Sequence, residues 1–429
     1  MTRFVPADLS ELRDAVGMAL AAEEPLELVA GGTKRGLGRP LQLPHTLDLS
    51  RLSGIRDYAP SELILTAGAA TPLAEITAAL DRARQMLAFE PPDWSALYGL
   101  GAEGTARQTL GGVLAANLSG PRRIRAGAAR DHFLGFRAVS GRGEVFKAGG
   151  KVVKNVTGYD LPKLMAGSFG TLAALEEVTI RVLPQPEAAL TVVLSGLDPA
   201  AAVRRLNQAL AGPYEVSGAA YLPQALAGAS GIALLRLEGP PPSVAFRRDR
   251  LIAELGAEGR TAVLEGDMSA ALWRAIRDAG PFAKLGEHVL WRISVAPARG
   301  AEIAEAIAQS LDASWYLDWG GGLVWAAVDG APGGDGGAAA IRAIIRGADG
   351  GGTGHATLIR GALGLRSAVP VFEPQPAPLA ALAARVRESF DPRRILNRGR
   401  MTPAPRPFET PPLGGGSSGV RAGTPMEGT

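Results

Sequence analysis

Three short glycine-bearing segments constrain this chain more than any other feature: AGGTKRGLG at 30–38, QTLGGVLAANLSGP at 108–121 and AGSFGTLAALEEVTI at 166–180. Glycine lets backbone N–H groups approach a phosphate closely or take positive φ, and a hydroxyl such as Thr33 adds a hydrogen bond to the same oxygen. One such segment alone reads as an ordinary turn. Three in succession ask for a common explanation, and two familiar phosphate scaffolds do not supply it. A G-x-G-x-x-G fingerprint opens a helix after the first strand, but Gly36 and Gly38 run into Arg39-Pro40, with no acidic ribose ligand at the right offset. A G-x-x-x-x-G-K-[ST] loop is absent. Phosphate chemistry here needs a different scaffold.

The periodicity around these segments outlines what holds them. Apolar positions Leu9, Leu12, Val16 and Leu20, with Asp8 and Glu11 spaced as a capping pair, predict a helix over 8–22. Leu26, Leu28 and Ala30 then form a strand entering Gly31-Gly32. LDLS, GIRDY and ELILTAG are further β pieces; Thr71-Pro72 reads as N-cap and first residue of a helix carrying Leu73, Ile76, Leu80 and Leu87. EEVTIRVLP alternates as a half-buried strand ending at Pro184, which places a domain boundary at 185.

Residues 186–371 alternate strands and helices as a second, mixed α+β domain, with a hairpin of 315–319 and 323–328 about three glycines. A helix over 378–390 with the stripe Leu379, Leu382, Val386 and Phe390 opens a segment, 372–402, that returns to the first domain. The Pro-, Gly- and Ser-rich run 403–429 is expected to be a disordered tail.

Composition narrows the function. At 429 residues, 46% hydrophobic and 20% charged, the chain is of globular-enzyme type and long enough for two cores. Its 45 basic and 42 acidic residues are spread evenly, so the net charge of +3 does not point to nucleic acid. One compact basic group, Arg122, Arg123, Arg125 and Arg130, is either a local anion site or a solvated face. The absence of cysteine excludes disulfides, thiolate catalysis and iron–sulfur ligation within this chain. With no signal-like start and no apolar run of spanning length, the expectation is a cytoplasmic protein that meets a membrane only through partners.

The three segments, together with RDHFLG, KVVKNVTGYDLPKLM and the late FDPRRILNRGRM, resemble the FAD-linked oxidases of the vanillyl-alcohol oxidase and cresol methylhydroxylase (PCMH) type. Within that family KNVTGYDLPKLM is most similar to the glycolate oxidase subunits, and the short second domain to the FAD-binding subunit. The resemblance implies an α+β chain: a PCMH-type FAD-binding domain of two α/β subdomains, followed by a smaller α+β cap. It assigns flavin contacts to Ala30, Gly31, Gly32, Thr33 and Lys34, to Thr109, Leu110, Gly111, Gly112, Asn117, Ser119 and Gly120, to Gly170, Thr171 and Val178, and to Asn397. Arg130 and Asp131 fall on a pair that supports the cradle in that family, or form an ordinary salt bridge. Thr33-Lys34 stand where many relatives carry a flavin-linking histidine, which implies noncovalent FAD.

Of the four histidines, His45, His132, His288 and His355, the last is the first candidate for a general base, or else a loop histidine left from a lost metal site. GTGHATLIRG lacks the paired histidines of metal-dependent relatives, so no metal is expected. Arg292 and Arg360 are candidates for binding a substrate carboxylate, or ordinary strand charges. Trp291, Trp315, Trp319 and Trp325 line either a flavin-facing wall or a core. The implied activity is oxidation of a small 2-hydroxy acid such as glycolate, with electrons leaving to a larger FAD-linked catalytic subunit and an iron–sulfur subunit. The alternative is a flavin-bearing electron-transfer or structural subunit with no substrate of its own.

Overall fold

The computed structural model describes residues 2–100, 107–150, 158–256, 260–329, 334–347 and 350–403. The first part of KVVKNVTGYDLPKLM, and the expected tail from residue 404 onward, lie outside them. The described strands form four sheets.

The chain opens on a three-stranded parallel sheet in which His45–Asp48 lies between Thr2–Phe4 and Leu26–Val29. Helix Leu9–Ala22 covers it. Asp8 caps that helix by accepting from the Ser10 and Glu11 amides, each at 2.9 Å, and the Glu11 carboxylate accepts from the Ala7 amide at 2.8 Å. Leu12 and Val16 are wholly buried against Leu26, Leu47 and, from the far end of the sequence, Ile395 and Leu396.

A five-stranded antiparallel sheet follows, in the order Ile55–Ala59, Ile64–Gly68, Ala173–Arg181, Phe133–Ser140 and Val145–Gly149. The strand expected to be half-buried is the central one here and buried on both faces. Its polar residues are matched in place: the hydroxyls of Thr179 and Thr66 bond at 2.9 Å, and Glu176 accepts from Arg137 at 2.8 Å.

The helix expected after Thr71 begins one residue late, at Leu73, with Pro72 as its last extended residue. The Thr71 hydroxyl donates instead to the Gly68 carbonyl at 2.7 Å. That helix ends at Arg82, so Leu87 is not on it. A short strand, Gln85–Met86, intervenes and pairs with Leu183–Pro184.

Beyond Ala188 every strand joins one eight-stranded antiparallel sheet. Its order is Arg260–Glu265, Ala188–Ser195, Ile232–Gly239, Gly218–Leu222, Ala313–Asp318, Leu323–Val328, Val289–Val295 and Gly354–Arg360. Each half repeats one plan, strand–helix–strand–strand–helix–strand, with the second strands of the two halves meeting at Tyr221 and Leu317. Neither half covers its own faces alone. Side-chain alternation sends Val192, Leu235, Ile293 and Val324 into the layer of helices, and Leu234, Tyr316, Trp325 and Ile359 toward the first domain, against Trp94 and Leu97.

The return segment then adds Leu396 beside Leu26 as a parallel bridge, with Leu26 N donating to Ile395 O at 2.7 Å and Asn397 N to Leu26 O at 2.9 Å. Helix Ala377–Phe390 departs from its apolar stripe: none of its residues is fully buried, and Leu379 and Leu382 are each 48% exposed. Only its last residue, Phe390, stacks inward, on Phe146 of the edge strand at 5.8 Å.

Candidate functional site

The parallel and five-stranded sheets face each other across a cleft with about 940 Å³ of free space, open to solvent at its mouth. Strand Leu26–Val29 delivers the first glycine segment to its wall. Gly31 is obligatory there, since a Cβ would lie 1.5 Å from the Arg107 carbonyl oxygen. Gly32 takes φ +74° and has open space where a Cβ would point. Thr109 begins the second wall, accepting from the Gly112 amide at 3.3 Å at the head of helix Leu110–Ala115. The third wall runs through Ser168, Phe169 and Gly170.

Asn397 ties the first wall to the third. Its Oδ1 accepts from Leu28 N at 2.8 Å and its Nδ2 donates to Phe169 O at 2.7 Å. Arg400 donates to the carbonyls of Arg35, Leu37 and Arg39, each at 3.3 Å, and so fixes the far side of the first loop.

Of the residues assigned to the flavin by resemblance, Ala30, Gly31, Gly32, Thr33, Lys34, Thr109, Gly111, Gly112, Gly170 and Asn397 line this cleft. The other six lie behind it. Leu110 and Val178 are wholly buried core. Asn117 accepts from Arg130 N at 3.1 Å and Ser119 from Ala129 N at 2.9 Å, so both shape the turn that leaves the cleft. Thr171 donates to Ser168 O at 2.7 Å, and Gly120 abuts Glu90. Asp131 is occupied with the amide of Ala128 at 2.8 Å and stands 3.7 Å from Arg130. Phe169 and Arg400 escape sequence inspection because chain reversal alone brings them to the cleft.

Lys34 is the one ammonium on the walls among the described residues. Its Nζ meets the Thr33 hydroxyl at 3.3 Å and makes no ion pair among the described residues. Burial pulls it down to about 8, against the opposing pull of Asp93. A glycine wall with exposed amides and an unneutralised ammonium suits a diphosphate.

The catalytic candidates lie on the cap sheet. Arg360 is spent as a clamp: it donates to the carbonyls of Leu97, Phe282 and His288 at 3.3, 3.2 and 3.3 Å and to that of Leu285. Four of its five N–H groups are so used, which leaves no pair of parallel donors for a substrate carboxylate. His355 is exposed, two residues along the register from Arg292, and partial desolvation and then the Arg292 guanidinium hold its imidazole below the ordinary value. The other histidines are structural or peripheral; His132 is wholly buried, with ring nitrogens on the Ala126 and Arg181 carbonyls. Trp291 and Trp315 belong to the helix-side core, Trp319 and Trp325 to the face turned toward the first domain. No cluster of potential metal ligands occurs among the described residues.

Two facing sheets around a glycine-walled cleft, capped by an antiparallel layer, define a PCMH-type FAD-binding oxidoreductase, and the FAD binding domain family matches residues 3–149. The chain belongs to the FAD-linked oxidases that include the glycolate oxidase subunit GlcE of Escherichia coli (strain K12). It is 36% identical to that subunit over 315 residues, 73% of this chain and 79% of that protein. It is also 35% identical to the glycolate oxidase subunit GlcD of Bacillus subtilis (strain 168) over 105 residues, 24% of this chain and 21% of that one. In fold it is similar to 4-ethylphenol oxidase from Gulosibacter chungangensis, with a TM-score of 0.66 and 15% identity over 94% of this chain and 89% of that one.

Proposed function

We propose that this chain is the FAD-binding subunit of a multisubunit oxidase or dehydrogenase of small 2-hydroxy acids, glycolate foremost. The observation that carries this is the cleft: three glycine segments closed by Asn397 around the unpaired Lys34 ammonium. The residues present fit the cofactor. The Gly32 position leaves room for a phosphate against backbone, and Lys34 supplies a countercharge.

Among the described residues that line the cleft none is a histidine, cysteine or tyrosine, in keeping with noncovalent attachment. When bound, FAD supplies the acceptor for a hydride leaving the carbon that bears the hydroxyl. His355, kept neutral near pH 7, is suited to take the hydroxyl proton. With no cysteine in the chain, one-electron carriers of iron–sulfur type belong to a partner. No described helix is long and apolar enough to cross a membrane.

A second reading, a flavin-bearing subunit without substrate oxidation of its own, is favoured by one observation: four of the five N–H groups of Arg360 are taken by carbonyls. Anaerobic glycolate, with D- and L-lactate beside it, separates the two. Bleaching of the flavin in the isolated chain supports the first; bleaching only after a partner subunit is added supports the second. The cleft assignment has its own check: at Gly32 a Cβ meets open space but the φ of +74° strains any side chain, so Gly32→Trp should abolish flavin binding while Gly32→Ala, which carries the same strain without the bulk, retains more of it. Undiminished flavin would sink it.

A further inference from the structure

The cap face turned toward the flavin domain carries Arg292, which pairs in register with Trp325 and Thr357, and His355 two residues along. From the other side, helix Arg123–Ala126 leaves the second glycine segment and presents Arg123. Both guanidinium carbons lie over the indole of Trp319, Arg123 at 4.7 Å and Arg292 at 4.9 Å from the ring centroid. That indole is itself fixed by donation from Nε1 to Gly120 O at 3.2 Å.

Neighbouring cations at this junction are paired. Arg122 forks onto Glu238 at 2.9 and 2.7 Å, Arg236 onto Glu90 at 2.9 Å twice, and Arg125 meets Glu215 at 2.6 Å. Arg123 and Arg292 alone of this group make neither a hydrogen bond nor an ion pair through their side chains among the described residues. Burial, and then the charge of Arg123, push Arg292 down to about 10. The acid that acts on Arg292, Asp318, is 2% exposed and is raised by its burial to about 7, so it neutralises Arg292 poorly, and the one that attracts Arg123, Asp131, is engaged by the Ala128 amide rather than by that guanidinium. Two cations held against one aromatic plate, both partly open to solvent, are unfavourable until an anion joins them.

We propose that Arg123 and Arg292, seated on Trp319, form a carboxylate-binding subsite between the flavin domain and the cap. The guanidinium forks match a carboxylate, and the indole excludes water on one side. As the carboxylate site for a 2-hydroxy acid, this rests on the function proposed above. As an anion site, it stands apart from it.

Oxalate, a carboxylate probe with no oxidisable hydrogen, tests it in the flavin-loaded full chain, read by tryptophan fluorescence and by the rise in melting temperature. Oxalate binds the unaltered chain, and Arg123→Gln and Arg292→Gln each weaken that binding roughly tenfold or more. Arg125→Gln, a charge loss on the same short helix, leaves it unchanged. Arg123 lies on a surface helix and carries the test alone should the Arg292 variant not fold. Unchanged affinity in the Gln variants, an equal loss in Arg125→Gln, or no oxalate binding overturns the subsite. If glycolate reduces the flavin with the same KM in both Gln variants, the subsite falls and the proposed function stands. If oxalate binds as stated but no 2-hydroxy acid reduces the flavin even with partner subunits present, the anion site stands and the substrate falls.

Discussion

Arg122 and Arg123 are neighbours in sequence that serve opposite halves of the same junction. Arg122 enters a closed network with Glu90, Arg236 and Glu238, in which each charge faces an opposite one within hydrogen-bonding distance. Arg123 enters an open cluster with Arg292 and Trp319, where like charges stand together: Asp318, beside Arg292, is too buried to ionise readily, and Asp131, which attracts Arg123, makes no ion pair with it. The closed half locks cap to flavin domain. The open half holds unspent electrostatic energy, which suits binding better than folding.

The sharpest way to break that contrast is Arg236→Met. It leaves the buried carboxylates of Glu90 and Glu238 to share Arg122 alone, and removing one partner of a buried pair typically costs about 3–5 kcal/mol. Urea denaturation should show that loss, and a variant as stable as the parent would mean the network locks nothing.

A change of pH separates the halves next. Burial alone would raise Glu238, but the Arg236 and Arg122 guanidiniums outweigh it and hold it at about 2. Its stabilisation is therefore full above its ordinary value near 4.5 and is lost as pH falls toward 2. Asp318 has the opposite sign. Burial raises it from 3.8 to about 7, so the folded state binds the extra proton and stability declines as pH rises across that interval. Glu238→Gln should flatten the acid limb and Asp318→Asn the limb approaching neutrality; unaltered profiles would contradict both assignments.

The smallest effect should come from Arg123→Gln. With no hydrogen bond or ion pair among the described residues to lose, and with the repulsion of Arg292 relieved as the contact with Trp319 goes, its stability should stay within about 0.5 kcal/mol of the parent's, or rise. A loss comparable to that of Arg236→Met would reveal a pairing that the open half is said to lack.

The same contrast shows what the sequence can and cannot disclose. The cleft walls were legible because a glycine segment after a strand is a local signature, and Lys34 lies within one. The roles of Arg122 and Arg123 were not, since the acid that distinguishes them, Glu238, lies 116 residues from Arg122. Arg292 and Arg360 look alike in VLWRISV and HATLIRG, yet carbonyls from two distant stretches, Leu97 and 282–288, engage only the latter. The duplicated plan of the cap escaped notice because its halves share strand order rather than residues. Leu379 and Leu382 misled for a simpler reason: an amphipathic pattern announces an apolar face without saying that the fold will cover it.

One consequence concerns timing. Strand Leu26–Val29 is made well before its backbone partners at Ile395 and Asn397. A ribosome emits the first glycine loop hundreds of residues before the segment that closes it. The cradle therefore cannot be complete on the nascent chain until Asn397 has left the exit tunnel, and loading of the flavin becomes a late event in the maturation of the protein.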